Sequence, residues 1–173
     1  WVIGIVILMI QCSNAPPPAD PVASPETLRK QSDQFTQRVE KVVENVHVAI
    51  GYGLSNSILI EGGDCAIVVD TMESLEAGRR VRAAFRRVSA KPIGAIIYTH
   101  NHADHVLGAA AFRDAPNVPV YSHALTETFL DRFVSQLRPV LYTRSTRQFG
   151  TMLPKSDFIN AGIGPYLDYT ADR

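Results

Sequence analysis

The chain has 173 residues, 46% of them hydrophobic and 20% charged. That is enough for one domain with its own core and ordinary for a globular protein. Its 17 basic residues cancel its 17 acidic ones, so overall charge argues against a nucleic-acid partner.

The chain begins at Trp1, and its first ten residues are almost wholly apolar, about half of the ~20 that a membrane-spanning helix needs. Residues 1–12 read as the remnant of a signal-peptide core or membrane anchor. The expectation is a fragment of a secreted, periplasmic or membrane-anchored protein. Cys12 invites a lipoprotein reading, although Gln11 before it is a poor match to the small residue such a cleavage site prefers. With Cys12 in this leader, a structural disulfide is not expected. Residues 13–25 form a linker whose prolines, at 16, 17, 18, 21 and 25, favour extended backbone. Residues 26–173 remain for the folded domain.

Ser24 and Pro25 suit an N-cap and first helical position. Leu28, Phe35, Val39, Val42, Val43 and Val46 recur at helical spacing, which predicts an amphipathic helix from Glu26 to about Asn45. Strands follow at Val46–Tyr52, Ser57–Glu61 and Cys65–Asp70, the last two joined by a turn at Gly62-Gly63-Asp64. The apolar run Ala66–Val69 predicts a strand buried on both faces, with Cys65 a small buried hydrophobe beside it. Leu75, Val81, Phe85 and Val88 mark a helix over 74–88. Its arginines 79, 80, 82, 86 and 87 read as a solvated face near the negative helix end, with Glu73 and Glu76 at the start. Lys91-Pro92 ends it, and Ile93–Thr99 reads as a buried strand. A short helix over Val106–Phe112, a strand at Val118–Tyr121 and a helix over Leu125–Leu137 complete the order. The last carries Leu125, Phe129, Phe133 and Leu137 on one face. From Leu153 onward no period is visible. The pattern is α+β, a sheet with helices on one side.

Between the strand ending at Thr99 and the helix opening at Val106 lies His100-Asn101-His102-Ala103-Asp104-His105. It holds three of the chain's five histidines. Three imidazoles and a carboxylate at a strand end are a donor set for zinc, with manganese or iron also compatible by ligand type. In extended backbone His100 and His102 share a face and can grip one ion. Asp104 and His105 follow a bend and can turn toward a second. Four donors are too few for two closed shells, so further ligands are expected from elsewhere. His47 and His123 stand alone and read as structural. Asp70, closing its strand, could fix the tautomer of a ligand imidazole or cap the helix that begins near Ser74.

The segments Asn56–Glu61, Val69-Asp70-Thr71 and Thr99–His105 resemble the metallo-β-lactamase superfamily. The resemblance implies an αββα sandwich, of which this chain would be the N-terminal part. It implies His100, His102, Asp104 and His105 as metal ligands and Asp70 as the partner that orients one of them. Gly51–Asn56, Ile97–His105, Arg147–Pro154 and Asn160–Pro165 are similar to the zinc-dependent alkyl sulfatases within it. That family implies two zinc ions per complete site, an activated water attacking a small-molecule alkyl sulfate, and a homodimer in the full-length protein. Phe149, Gly150 and Thr151 would lie near the sulfate. Members carry Tyr and Asn beside that glycine, and this chain departs there. The family's further Glu and His ligands lie beyond the hexad in sequence. Glu127, in a helix, is not a substitute, so the chain alone is expected to be inactive. The competing expectations are another superfamily hydrolase, acting on lactams, thioesters or phosphodiesters, and a non-functional truncated chain.

Overall fold

A computed structural model describes residues 24–150, 152–154 and 156–165. The leader, all but the end of the Pro-rich linker, and Thr151 lie outside the described residues. Helix α1, Pro25–Ser32, begins as the sequence predicts: Pro25 is its first residue and the Ser24 hydroxyl accepts from the Thr27 amide at 3.1 Å.

The helix does not reach Asn45. A turn of 3₁₀ helix, Asp33–Phe35, ends it, and strand β1 runs from Arg38 to Val43. The run Val39, Val42, Val43, Val46 has helical spacing but consists of β-branched residues, which pack better on a pleated surface. β1 pairs antiparallel with β2, Val46–Ile50, with Arg38 opposite Ile50. As an edge strand it leaves Val42 and Val43 more than half exposed.

Strands β3, Ser57–Glu61, and β4, Ala66–Val69, continue the antiparallel meander through the turn at 62–64. Helix α2, Leu75–Phe85, then crosses to β5, Ile93–Ile97, which lies parallel to β4. A four-residue helix α3, Ala103–Val106, and a 3₁₀ turn, Ala109–Phe112, lead to β6, Val120–Tyr121, parallel to β5. The six strands stand in sequence order. This is an α+β architecture, a six-stranded sheet with the crossover helix on one face.

The core lies on one face of this sheet. Ala77, Val81 and Phe85 of α2 pack with Met72 and Phe112 against Leu59, Val68 and Ile96. On β4 only Ala66 and Val68 are fully buried, while Ile67 and Val69 on the opposite face are half-buried. The predicted two-sided burial therefore holds for one face among the described residues. Cys65 is exposed rather than buried. It precedes β4 at the turn, and its sulfur lies over Gly94, which has no side chain to cover it.

The helix predicted over 125–137 is longer. Helix α4, Thr126–Arg132, passes through a π turn, Phe133–Leu137, into α5, Arg138–Phe149, where Gly150 caps it with φ +64°. Leu125, Phe129 and Leu137 share a side but are 39–52% exposed.

Arg82 does not lie on a solvated face. It is buried, and its guanidinium donates to Asp114, which also accepts from the Ile93 amide at 3.0 Å and from Arg86 at 3.4 Å. Asp114 thereby ties α2 to the start of β5. The Arg82 guanidinium holds the Asp114 carboxyl below the usual carboxylate range. A depressed folded-state pKa contributes stability above the unfolded value of about 3.9, and the contribution is lost as pH falls through the folded pKa. Asp114→Asn is expected to cost about 2 kcal/mol at neutral pH. In urea titrations across pH, its gap from the wild type should close in acid; a gap independent of pH would contradict this.

Candidate metal centre

β4 and β5 end side by side, with Val69 opposite Ile97 and the Asp70 amide donating to the Ile97 carbonyl at 2.9 Å. Beyond that point β4 gives way to Asp70, and the chain leaving β5 runs through Thr99 into the hexad. Asp70 turns with φ +59° and Met72 with φ +78°. The left-handed region is accessible to Asp but costs about 1–3 kcal/mol for a residue such as Met, so surrounding contacts must hold it. They are on hand. Met72 is fully buried, and its carbonyl accepts from the Gly108 amide at 3.0 Å. A Cβ on Gly108 would come within 1.9 Å of the Thr71 carbonyl oxygen, so only glycine lets the chain leaving the hexad cross so close.

The Asp70 carboxylate is the hub. One oxygen accepts from the Thr99 amide at 2.9 Å; the other takes the Thr99 hydroxyl at 2.8 Å and His105 Nδ1 at 2.7 Å. Burial opposes its ionisation, but the bonds from His105 and Thr99 outweigh that and hold it below the usual range. Asp70 therefore orients an imidazole; Ser74 is the residue that caps α2, accepting from the Ala77 amide at 3.1 Å. Thr71 grips the same histidine by its main chain, its amide and hydroxyl donating to the His105 carbonyl at 2.7 and 3.1 Å. The Ser55 hydroxyl donates to the Asp104 carbonyl, and Ser57 to the Asp70 carbonyl at 2.7 Å.

The hexad folds over this frame. His102 N-caps α3 with extended backbone, so the helix starts inside the hexad and the bend falls between His102 and Asp104. The ring of His100 lies 4.5 Å from that of His102 and 4.1 Å from that of His105, centre to centre. His105 Nε2 stands 3.4 Å from the Asp104 carboxylate. The Asp104 and Asp70 carboxylates push the His105 pKa up to about 9. Burial, and after it the neighbouring imidazoles, keep that of His100 low.

All four hexad donors and Asp70 are thus brought to one place. Among the described residues no three donors already stand in coordinating geometry; His105 Nε2 faces Asp104, and His100 Nδ1 meets the Thr99 hydroxyl at 3.0 Å. The set still fits a divalent metal by its chemistry. Three imidazoles crowd together with one carboxylate, and one ring is already oriented from behind. Phe149 and Gly150 close α5, and no hydrogen bond or ion pair joins them to the hexad among the described residues; Thr151 falls outside those residues. His47 is buried, 3.0 Å from Glu61, and Glu127 is exposed in the first turn of α4.

Sequence reasoning missed Ser55, Thr71 and Thr99. The only signal was small hydroxyl residues flanking strand ends. It also read Glu73 as an acidic helix start, whereas Glu73 is 8% exposed.

The family model of the metallo-beta-lactamase superfamily matches residues 50–163. Over 117 residues the chain is 42% identical to a linear primary-alkylsulfatase of a Pseudomonas species, covering 62% of this chain and 22% of that protein. Over 133 residues it is 30% identical to the alkyl/aryl-sulfatase BDS1 of Saccharomyces cerevisiae, covering 72% and 20%. Its fold is similar to that of the sec-alkylsulfatase Pisa1 from Pseudomonas sp., with a TM-score of 0.68 and 22% identity over 76% of this chain and 22% of that one. The chain spans about a fifth of the length of these curated relatives.

Asp70→Asn keeps the shape but removes the charge that orients His105. Zinc affinity, measured by chelator competition, should fall roughly 10–100-fold; an unchanged affinity would show that Asp70 does not act through His105.

Proposed function

The chain belongs to the metallo-beta-lactamase superfamily, and on that premise we propose that it carries the metal-binding loop of an alkyl sulfatase. The protein would hydrolyse a sulfate ester to an alcohol and sulfate. The observation that carries this reading over other superfamily chemistries is the 42% identity with a linear primary-alkylsulfatase, over a segment long enough to include both the frame and the hexad.

His100, His102, Asp104 and His105 are the residues that would hold the metal. A mixed imidazole and carboxylate set favours zinc, and two ions per complete site fit the division of donors around the bend at His102. A divalent ion at these donors supplies a Lewis acid that polarises the ester and lowers the pKa of water.

The chain's own residues set the conditions. Asp70 accepts from His105 Nδ1, so Nε2, once its own proton is displaced, is the ring atom that would donate to a metal ion. The Thr99 hydroxyl donates to the same Asp70 oxygen and meets His100 Nδ1, so one carboxylate steadies two rings. Thr71 and Ser55 fix the main chain of His105 and Asp104, so the donors sit on anchored backbone at a strand end. The leader reading of residues 1–12 makes an exported or membrane-associated enzyme the matching context, and homodimer assembly belongs to the same reading.

The test is sulfate release from dodecyl sulfate, measured for the chain alone and with any coding sequence that flanks it in the gene. Activity that a chelator removes, zinc restores, and His102→Ala lowers at least about 100-fold supports the proposal. Turnover of a lactam, thioester or phosphodiester without sulfate release would reassign the substrate class.

A further inference from the structure

Glu73 is buried beside the hexad yet takes no part in its hydrogen bonds. It lies between Met72 and the α2 cap Ser74, 8% exposed, and its carboxyl faces the backbone of Gly53 and Leu54 rather than any side-chain partner. Burying a carboxyl is unfavourable, and a side chain serving only to fill space would be apolar.

What the carboxyl does touch is the loop 51–55. A Cβ built on Gly53 would come 2.1 and 2.4 Å from the two Glu73 oxygens and 2.6 Å from its Cδ. Gly53 has no left-handed φ, so what a larger residue there would have to displace is the buried Glu73 carboxyl, not a backbone conformation. The loop is held from another side as well. A Cβ on Gly164 would lie 2.9 Å from Leu54 Cα and 3.1 Å from the Gly53 carbonyl. That tail is tied to α1, where Asn160 donates to the Leu28 carbonyl at 2.7 Å and Gln31 to the Gly162 carbonyl at 2.8 Å. Two residues beyond Gly53, the Ser55 hydroxyl donates to the main-chain carbonyl of Asp104.

We propose that Glu73 is a positioning residue for the metal loop: its carboxyl, wedged against Gly53, sets the height of residues 51–55 and, through Ser55, the main chain of Asp104. This rests on reading residues 100–105 as the metal loop. Burial, and after it the Asp104 charge, push the Glu73 pKa up to about 7 against the pull of its own backbone amide, of Arg80 and of the Leu54 amide. The wedge has the same volume in either protonation state.

The pairing of a side chain with the absence of one gives a compensation test. The readouts are amide hydrogen exchange over residues 99–108 in the metal-free chain and zinc affinity by chelator competition. Gly53→Ala should speed exchange there and weaken zinc binding, each about tenfold, and adding Glu73→Ala to it should recover most of both losses. Glu73→Ala alone should loosen the same segment, and Glu73→Gln, which keeps the shape, should stay within about twofold of wild type. The proposal is overturned if Gly53→Ala leaves exchange unchanged, or if the double variant is no better than the single. Should Gly53→Ala fail to fold, the Glu73 pair decides: loosening by Ala but not by Gln supports the wedge, and equal behaviour of the two overturns it. A wild type that binds no zinc, with the exchange pattern as expected, would sink the metal reading and leave the wedge standing.

Discussion

Everything at the candidate centre hangs on one carboxylate at the place where two parallel strands end. Asp70 leaves β4 in a left-handed turn and meets the Thr99 amide, the Thr99 hydroxyl and His105 Nδ1. Those bonds join the end of β4 to both ends of the hexad. They also explain why a buried acid stays ionised: three donors replace the water that burial removes. Without them the hexad would be a flexible loop of histidines; with them its donors are anchored to two core strands.

The cost of this arrangement falls on the backbone around it and is carried by the core. The left-handed Met72 persists because its side chain is fully buried among the residues that seat α2. Gly108 then allows the chain leaving the hexad to pass against Thr71. Strand, turn, helix cap and metal loop form one packed unit, so substitutions well away from the histidines should reach them through the main chain. The Asp114 link between α2 and β5 closes that unit at the opposite end of the same elements.

Much of this was legible in the sequence, and the failures have physical causes. The hexad as a donor cluster and the four inner elements from β3 to β5 were visible because dense donors and apolar runs are local signals, whereas position alone left Asp70 between an imidazole's partner and a helix cap. The strand β1 was not visible, since Val39, Val42, Val43 and Val46 satisfy a helical period while their β-branching favours pairing with β2. Arg82 read as solvent-facing because its partner Asp114 lies 32 residues away. Glu73 read as a helix-start acid because only the fold brings it under Gly53. Such contacts between distant residues leave no trace in local pattern, and they are what position the candidate site.

If residues 100–105 hold a metal on the frame that Asp70 builds, X-ray absorption at the zinc edge of the zinc-loaded chain should show a first shell of nitrogen and oxygen at about 2.0–2.2 Å with the outer scattering of two or more imidazoles, reduced by one in His102→Ala. A shell of oxygens without imidazole scattering, or one containing sulfur, would contradict that reading.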